Sequence, residues 1–484
     1  MILRSASTKS SSRRLDLPAT AAPVAIVTAA LLLACGPQEP DASNEPREVA
    51  GDLAFVGATV LAMTGEGALA DHTVVVDGDR IVAVAPTGSV TVSDETTVID
   101  AAGKFLMPGV AEMHGHYPQD ADSQFTRDVL FLYVANGVTF VRGMQGGPQH
   151  LPLRDSIERG EVLGPRLQVS APMMHGGAVT DPDQAEALVR EAAAAGFDHL
   201  KVHEELSPEV YDRIAAVAGE VGLPFAGHVS NRVGLRHALE ADQQTIDHLD
   251  NYLEALIGDP EAVAELGLFD LGRLAGEIDT SRIDEIVAAT VESGAGVVPT
   301  MALWEVLFGS RSSAEWLEAR PETRYVPPAM VQGWVEGSDQ RLEQLGGEEA
   351  AAIDNILALR RRVLDALHEA GVPVLLGTDS PQVFSVPGFS VHHEMEVMVE
   401  SGLTPSEVLV TGTRAVGEFL GLADEMGTVA EGRRADLVLL DADPTVDVGN
   451  FAKRAGVVVA GRWLSEEEIQ EELEAIAERA AASR

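Results

Sequence analysis

Two histidines one residue apart, His114 and His116 in the stretch PGVAEMHGHY at 108–117, are the first side chains with evident chemistry. On a β-strand, residues i and i+2 face the same way, so both imidazoles would converge at the strand's end. The pattern is short and has two readings: unrelated polar residues, or two ligands of one metal ion. The remaining chain decides between them by what else it supplies. His228 in PFAGHV, His248 in TIDHL and Asp379 in VLLGTDS close further apolar runs, and Lys201 sits within another, HLKVH. One histidine at a strand end is usually a satisfied polar residue. Four from three strand ends, with an aspartate at a fourth, are hard to attribute to accident. Imidazole nitrogen and carboxylate oxygen without thiolate suit Zn²⁺, with Mn²⁺, Co²⁺ or Fe²⁺ as alternatives. The single cysteine, Cys35, excludes both an intrachain disulfide and a thiolate metal site.

Such a set needs elements that bring distant strand ends together. Strand candidates at 109–114, 137–144, 166–171, 199–203, 224–229, 245–249, 296–301 and 373–378 alternate with amphipathic helical stretches, 208–220 and 353–370 among them. Eight such strands are the count of a (β/α)₈ TIM-like barrel, in which chemistry gathers at the strands' C-terminal ends. Residues 52–107 differ: short β-rich runs at 53–56, 73–76, 80–84 and 97–99 are punctuated by Gly and Asp. Similar runs recur within 427–440 and 457–463. The expected fold class is therefore α/β. A barrel at 108–420 would be flanked by a small β domain built from both chain ends (52–107 plus 421–463) and followed by a charged helix in 464–484.

The N-terminus carries Arg4, Lys9, Arg13 and Arg14, then an apolar run at 24–34, then Cys35. This is the layout of a signal peptide occupying 1–34, and the run is shorter than the ~20 residues a spanning helix needs. Residues 32–35, LLAC, resemble a bacterial lipobox, whose cysteine is acylated and becomes the mature N-terminus. The alternative is an ordinary signal peptide with an incidental cysteine. Export to the bacterial envelope follows from either, and a lipid anchor through Cys35, facing the periplasm or the outside, follows from the first. Residues 35–51, rich in Pro, Glu, Asp and Ser, read as a flexible tether. Over 484 residues, 76 acidic against 34 basic side chains leave a net charge of −42, which excludes nucleic acid and anionic membrane surfaces as partners.

The segments PGVAEMHGH, HLKVHEELSPEVYD, PFAGHVSNRVGLRHALEADQQTIDH, VVPTM, LLGTDS, LTPSEVLVTGTRAVGEFLGL and GTVAEGRRADLVLLDADP follow one another across most of 52–463. Together they resemble the metal-dependent amidohydrolase superfamily, particularly its imidazolonepropionase- and prolidase-like secreted branch. One departure is that strand two ends Val141-Arg142-Gly143, where relatives often carry Arg-Asp. The resemblance implies a distorted TIM barrel with a β-sandwich from both chain ends. It also implies a binuclear centre of two divalent ions, chiefly Zn²⁺, held by His114, His116, Lys201, His228, His248 and Asp379. A buried lysine beside two cations cannot keep its charge, and as a neutral amine it can add CO₂ to become a carbamate bridge. The plainer alternative turns Lys201 outward or pairs it with Glu204 or Glu205.

The implied reaction is hydrolysis of an amide, peptide or cyclic amide C–N bond by a metal-bridging hydroxide, with Asp379 as general base and then acid. A dipeptidase on Xaa-Pro or basic dipeptides, and a lactonase, are alternatives on the same site. An envelope binding protein that kept the barrel and lost catalysis is a third. His203 and His175 are candidates for contact with a small-molecule amide or peptide substrate, or plain loop histidines. Asp247 neighbours His248, but strand alternation points it away. Trp304, Tyr252 and Arg232 read as loop packing, and His237, His392 and His393 as structural.

Overall fold

Seven short strands carry or precede the candidate residues: β1 (Val110–Gly115), β2 (Val138–Gly143), β3 (Arg166–Val169), β4 (Leu200–Val202), β5 (Phe225–Gly227), β6 (Thr245–Asp247) and β7 (Gly296–Val298). All but β3 are buried at every position, as strands covered on both faces must be. The computed structural model describes residues 46–266, 271–308, 320–344 and 347–483. The expected signal peptide, Cys35 and most of the tether lie outside the described residues.

Pairing is parallel within two sheets, β1–β2–β3 and β4–β5–β6–β7. Single bridges, Ser170 with His199 and Met174 with Val202, join the edge of the first sheet to the second. Residues 373–378, expected as an eighth strand, form an extended segment rather than a regular strand. Val297 N donates to Pro373 O, and Leu375 N to Val297 O, tying the segment to β7. On its other side the ladder is interrupted: Leu376 N donates to Thr411 O and Ala111 N to Gly412 O. The 411–412 turn thus lies between this segment and the start of β1. A Cβ on Gly412 would sit 2.8 Å from Leu376 Cδ2, so any larger residue there would push the Leu376 side chain aside. Past the turn, Met113 N reaches Leu376 O and Asp379 N reaches His114 O. The two segments meet where the candidate ligands begin.

Local chemistry explains the helices between strands. Pro208–Val221 starts at Ser207, whose side chain accepts from Val210 N, has proline in its first turn, and stops at Gly222 with φ 70°. Pro182–Ala195 uses Asp181, Pro182 and left-handed Gly196 in the same way.

A third, mixed sheet contains strands from both ends of the described chain. Leu437–Leu440 pairs antiparallel with Phe105–Pro108, and the order runs 462–465, 454–459, 437–440, 105–108, 53–60, 69–77, 80–86, with 97–100 beside 53–60. Phe55, Val74, Ile81, Leu106, Leu437 and Val458 pack in one core there. Arg47–Val49, expected inside the tether, instead pairs parallel with Val90–Val92. Val49 is the reason: it buries against Ala54, Val75 and Ala83, which a solvated tether could not do. The closing helix Glu466–Ala482, capped reciprocally by Ser465 and Glu468, buries Ile469, Leu473, Ile476 and Ala480 along one stripe and leaves its acidic face outward.

Candidate metal centre

β1 answers the question its spacing raises. His114 and His116 turn the same way, ring centroids 5.5 Å apart, and Glu112 shares their face two residues earlier. Around them stand the other candidates. His116 Nε2 lies 2.5 Å from Asp379 Oδ1, and His114 Nε2 lies 3.6 Å from the same oxygen. His248 Nε2 is 3.8 Å from Asp379 Oδ2. Its ring lies 4.4 Å from that of His114 and stacks at 4.3 Å on His228. Lys201, 2% exposed, points inward and donates from Nζ to His114 Nε2 at 3.0 Å. Neither Glu204 nor Glu205 takes its amine. All six side chains thus come together in one buried cluster.

Two groups, one inside this cluster and one reaching beyond it, each offer ligand atoms within 4.8 Å of one another: His114, His248 and Asp379, and Glu204, His228 and Asp250. The second was not expected. His228 Nδ1 donates to Asp250 Oδ2 at 2.7 Å and lies 3.7 Å from Glu204 Oε1.

The outer nitrogen of each of three rings is pinned. Asp247 Oδ2 accepts from His114 Nδ1 at 2.7 Å, Asp250 from His228 Nδ1, and Thr300 Oγ1 lies 2.8 Å from His248 Nδ1. For His114 and His228 the partner is a carboxylate, which accepts and so fixes the proton on Nδ1 and leaves Nε2 as the bare donor atom a metal requires, whereas the Thr300 hydroxyl can donate or accept and orients the His248 ring without setting its tautomer. His248 Nε2 and His116 Nδ1 are buried with no hydrogen-bond partner among the described residues. An unsatisfied buried nitrogen costs ~1–3 kcal/mol. A divalent ion beside His248 Nε2 removes that cost, and the nitrogen–oxygen donor set suits Zn²⁺.

Electrostatics agree. Burial, reinforced by the Lys201 charge, holds His114 well below the usual imidazole range and pushes His228 down to about 3. Burial, with His228 and His114 adding to it, does the same to His248. All three are therefore neutral, the ligating form. Burial also lowers Lys201 against the opposing pull of Asp247 and Asp379. Burial raises Glu204 and Asp250, and Asp250 raises Glu204 further.

Asp247 corrects the alternation argument. It is fully buried and faces inward with His248, because His248 (φ 62°) and Leu249 (φ 52°) adopt left-handed backbone and end the strand's alternation there. Thr245 Oγ1 donates to it at 2.6 Å, and Arg142 Nη2 lies 3.4 Å from its Oδ1. Arg142, from the variant end of β2, also donates through Nε to Met113 O at 2.7 Å. Glu112 ties β1 to the 373–378 segment: Oε1 accepts from His114 N and Thr378 N, Oε2 from Thr378 Oγ1. Its spacing, two before His114, was the available clue. Asp250, Thr300 and Gln382, whose Nε2 donates to Asp379 Oδ1 at 2.6 Å, had none.

His203 lies half-buried with its ring 4.2 Å from His228, beside the cluster. His175 Nδ1 accepts from Gly177 N at 3.2 Å within its own turn. Four other candidates find hydrogen-bond partners outside the cluster. Tyr252 OH meets Thr290, His392 meets Asn136, His393 meets Glu322 and His237 meets Asp212.

A family model described as Amidohydrolase family matches residues 105–464. An adenine deaminase of Rubrobacter xylanophilus is 32% identical over 170 residues, 32% of this chain and 27% of that protein, so the chain spans about a quarter of that relative's length. An imidazolonepropionase of the same organism is 25% identical over 404 residues, 76% of this chain and 84% of that one. The crystal structure of a putative prolidase from Bifidobacterium longum superposes with a TM-score of 0.65 at 22% identity, covering 88% of this chain and 98% of that chain. At that identity the likeness is one of fold.

Proposed function

Because the chain belongs to the amidohydrolase family, we propose that it is a metal-dependent hydrolase of a C–N bond in an amide, peptide or cyclic amide. The observation that carries this reading is the pinned set of imidazoles, with the unpartnered Nε2 of His248 turned toward Asp379. His114, His116, Lys201, His228, His248 and Asp379 would hold two divalent ions, and Glu204 and Asp250 border the site. Such ions supply Lewis-acid polarisation and activated water. The chain's own residues do the rest. Asp379, buried and fixed by Gln382 and His116, would accept a proton and return it to the leaving nitrogen. Lys201, whose burial favours the neutral amine, is the group suited to adding CO₂.

The same proposal includes a closed (β/α)₈ barrel, a β-sandwich formed by the mixed sheet, and export with a lipid anchor at Cys35. A dipeptide substrate and a lactone remain alternatives at the same centre. An inactive binding protein is disfavoured, since such a protein has no use for the proton-shuttling position of Asp379. The test is a hydrolysis screen of Zn²⁺-loaded protein against N-acyl amino acids, Xaa-Pro and basic dipeptides, cyclic amides and lactones. Turnover that disappears on chelation and returns with metal is expected. A protein that binds metal yet turns over no member of the panel would count for the binding role.

A further inference from the structure

The turn that carries His248 is strained. His248, Leu249 and Asn251 have φ of 62°, 52° and 62°, left-handed values in residues that all bear a Cβ. Each is a sparsely populated conformation for such residues and persists only where the surroundings over-determine it. Two braces come from nearby: Asn251 Nδ2 donates to Val229 O at 2.7 Å, and Asp250 is bonded to His228 Nδ1 and Val229 N. The third comes from far along the chain. Arg360, on the helix Gly347–Glu369 and 4% exposed, donates through Nη2 to the carbonyl oxygen of His248. Its guanidinium carbon lies over the Trp304 ring, 4.2 Å from the ring centre, a cation–π contact. The carboxylates of Glu254 and Asp250 act on it electrostatically.

We propose that Arg360 is a positioning residue of the metal centre: it locks the left-handed carbonyl of His248 and so aims the His248 ring. The inference rests on reading the cluster as a metal centre. Its chemistry asks for arginine. A planar guanidinium can lie flat on an indole and donate in its own plane at once, which the point charge of a lysine cannot do. The residue touches no reacting atom. Its effect would pass through a backbone carbonyl to the ligand nitrogen of His248.

The experiment compares the full chain with Arg360→Lys and Arg360→Ala, reading Zn²⁺ affinity by competition with a chelator, the visible absorption of the Co²⁺-loaded protein, and melting of the metal-free form. Arg360→Ala should weaken Zn²⁺ binding by about 10–100-fold, the usual effect of losing a group that orients ligands. It should also alter the cobalt spectrum, and millimolar guanidinium should restore both in part. Arg360→Lys should fall between the wild type and Arg360→Ala. Should Arg360→Ala fail to fold, Arg360→Lys carries the comparison. Folded variants whose metal affinity and cobalt spectrum match the wild type would overturn the proposal and leave Arg360 a packing residue. A wild-type chain that takes up neither metal would overturn the metal-centre reading itself, and this inference with it.

Discussion

Asp247 offers the most decisive single perturbation, because its carboxylate serves three partners in a fully buried place. It accepts from His114 Nδ1 and Thr245 Oγ1 and stands 3.4 Å from the Arg142 guanidinium, itself wholly buried. Asp247→Ala removes the counter-charge of Arg142 and orphans His114 Nδ1. Breaking one side of a buried ion pair costs about 3–5 kcal/mol, and that is the expected loss of unfolding free energy in urea. Asp247→Asn is the sharper variant. It keeps the shape and one acceptor oxygen but removes the charge, and its amide can turn a donor toward His114. The fold should survive, while metal affinity falls about 10–100-fold, equivalent to ~1.4–2.7 kcal/mol. Chelator competition on the two variants and the wild type measures this directly. If Asp247→Asn bound Zn²⁺ within twofold of the wild type, the carboxylate would not be orienting His114. If Asp247→Ala lost less than about 1 kcal/mol, Arg142 would have to find its counter-charge elsewhere.

Other expectations are separately testable. Lys201→Ala should lose bound metal and turnover together, with small carboxylates such as propionate restoring part of both; metal content and turnover unchanged in that variant would exclude a bridging role. Asp379→Asn should retain at least part of its metal while kcat falls about 10²–10⁴-fold, and full turnover would remove the proton-shuttle role. Glu394, which accepts from Met301 N and Ala302 N, is pushed up to about 8 by burial. A folded-state value above the unfolded one means that the folded chain binds the extra proton, so this contribution to stability is full below about pH 4.5 and is lost as pH rises through about 8. Urea midpoints of Glu394→Gln should accordingly show a flatter slope across that window, and a slope equal to the wild type would refute it. Cys35→Ser should move the protein from the membrane to the soluble fraction; continued sedimentation with membranes would rule out the acyl anchor.

Local patterns in the sequence were sufficient for the pieces that obey local rules. Strand alternation placed His114 and His116 on one face, and the same rule, applied two residues back, reaches Glu112. The stretch 208–220 read as a helix, and its observed ends are set locally by Ser207, Pro208 and Gly222, because caps and left-handed stops are properties of a few adjacent residues. Apolar runs ending in His228, His248 and Asp379 pointed to a shared end of the fold. What pairs with each imidazole was decided elsewhere. Asp247 meets His114 across 133 positions of sequence, and it faces inward beside His248 only because the backbone turns left-handed at 248 and 249. The 373–378 segment lost its regular ladder to a turn at 411–412, a competitor that periodicity within the segment cannot register. Arg360 reads as one more charge on a helix until the fold sets it against the carbonyl of His248. Dihedral preference and side-chain period act over a few residues. Which carboxylate, hydroxyl or guanidinium satisfies a buried nitrogen depends on close approach between distant segments, and only packing in three dimensions determines that.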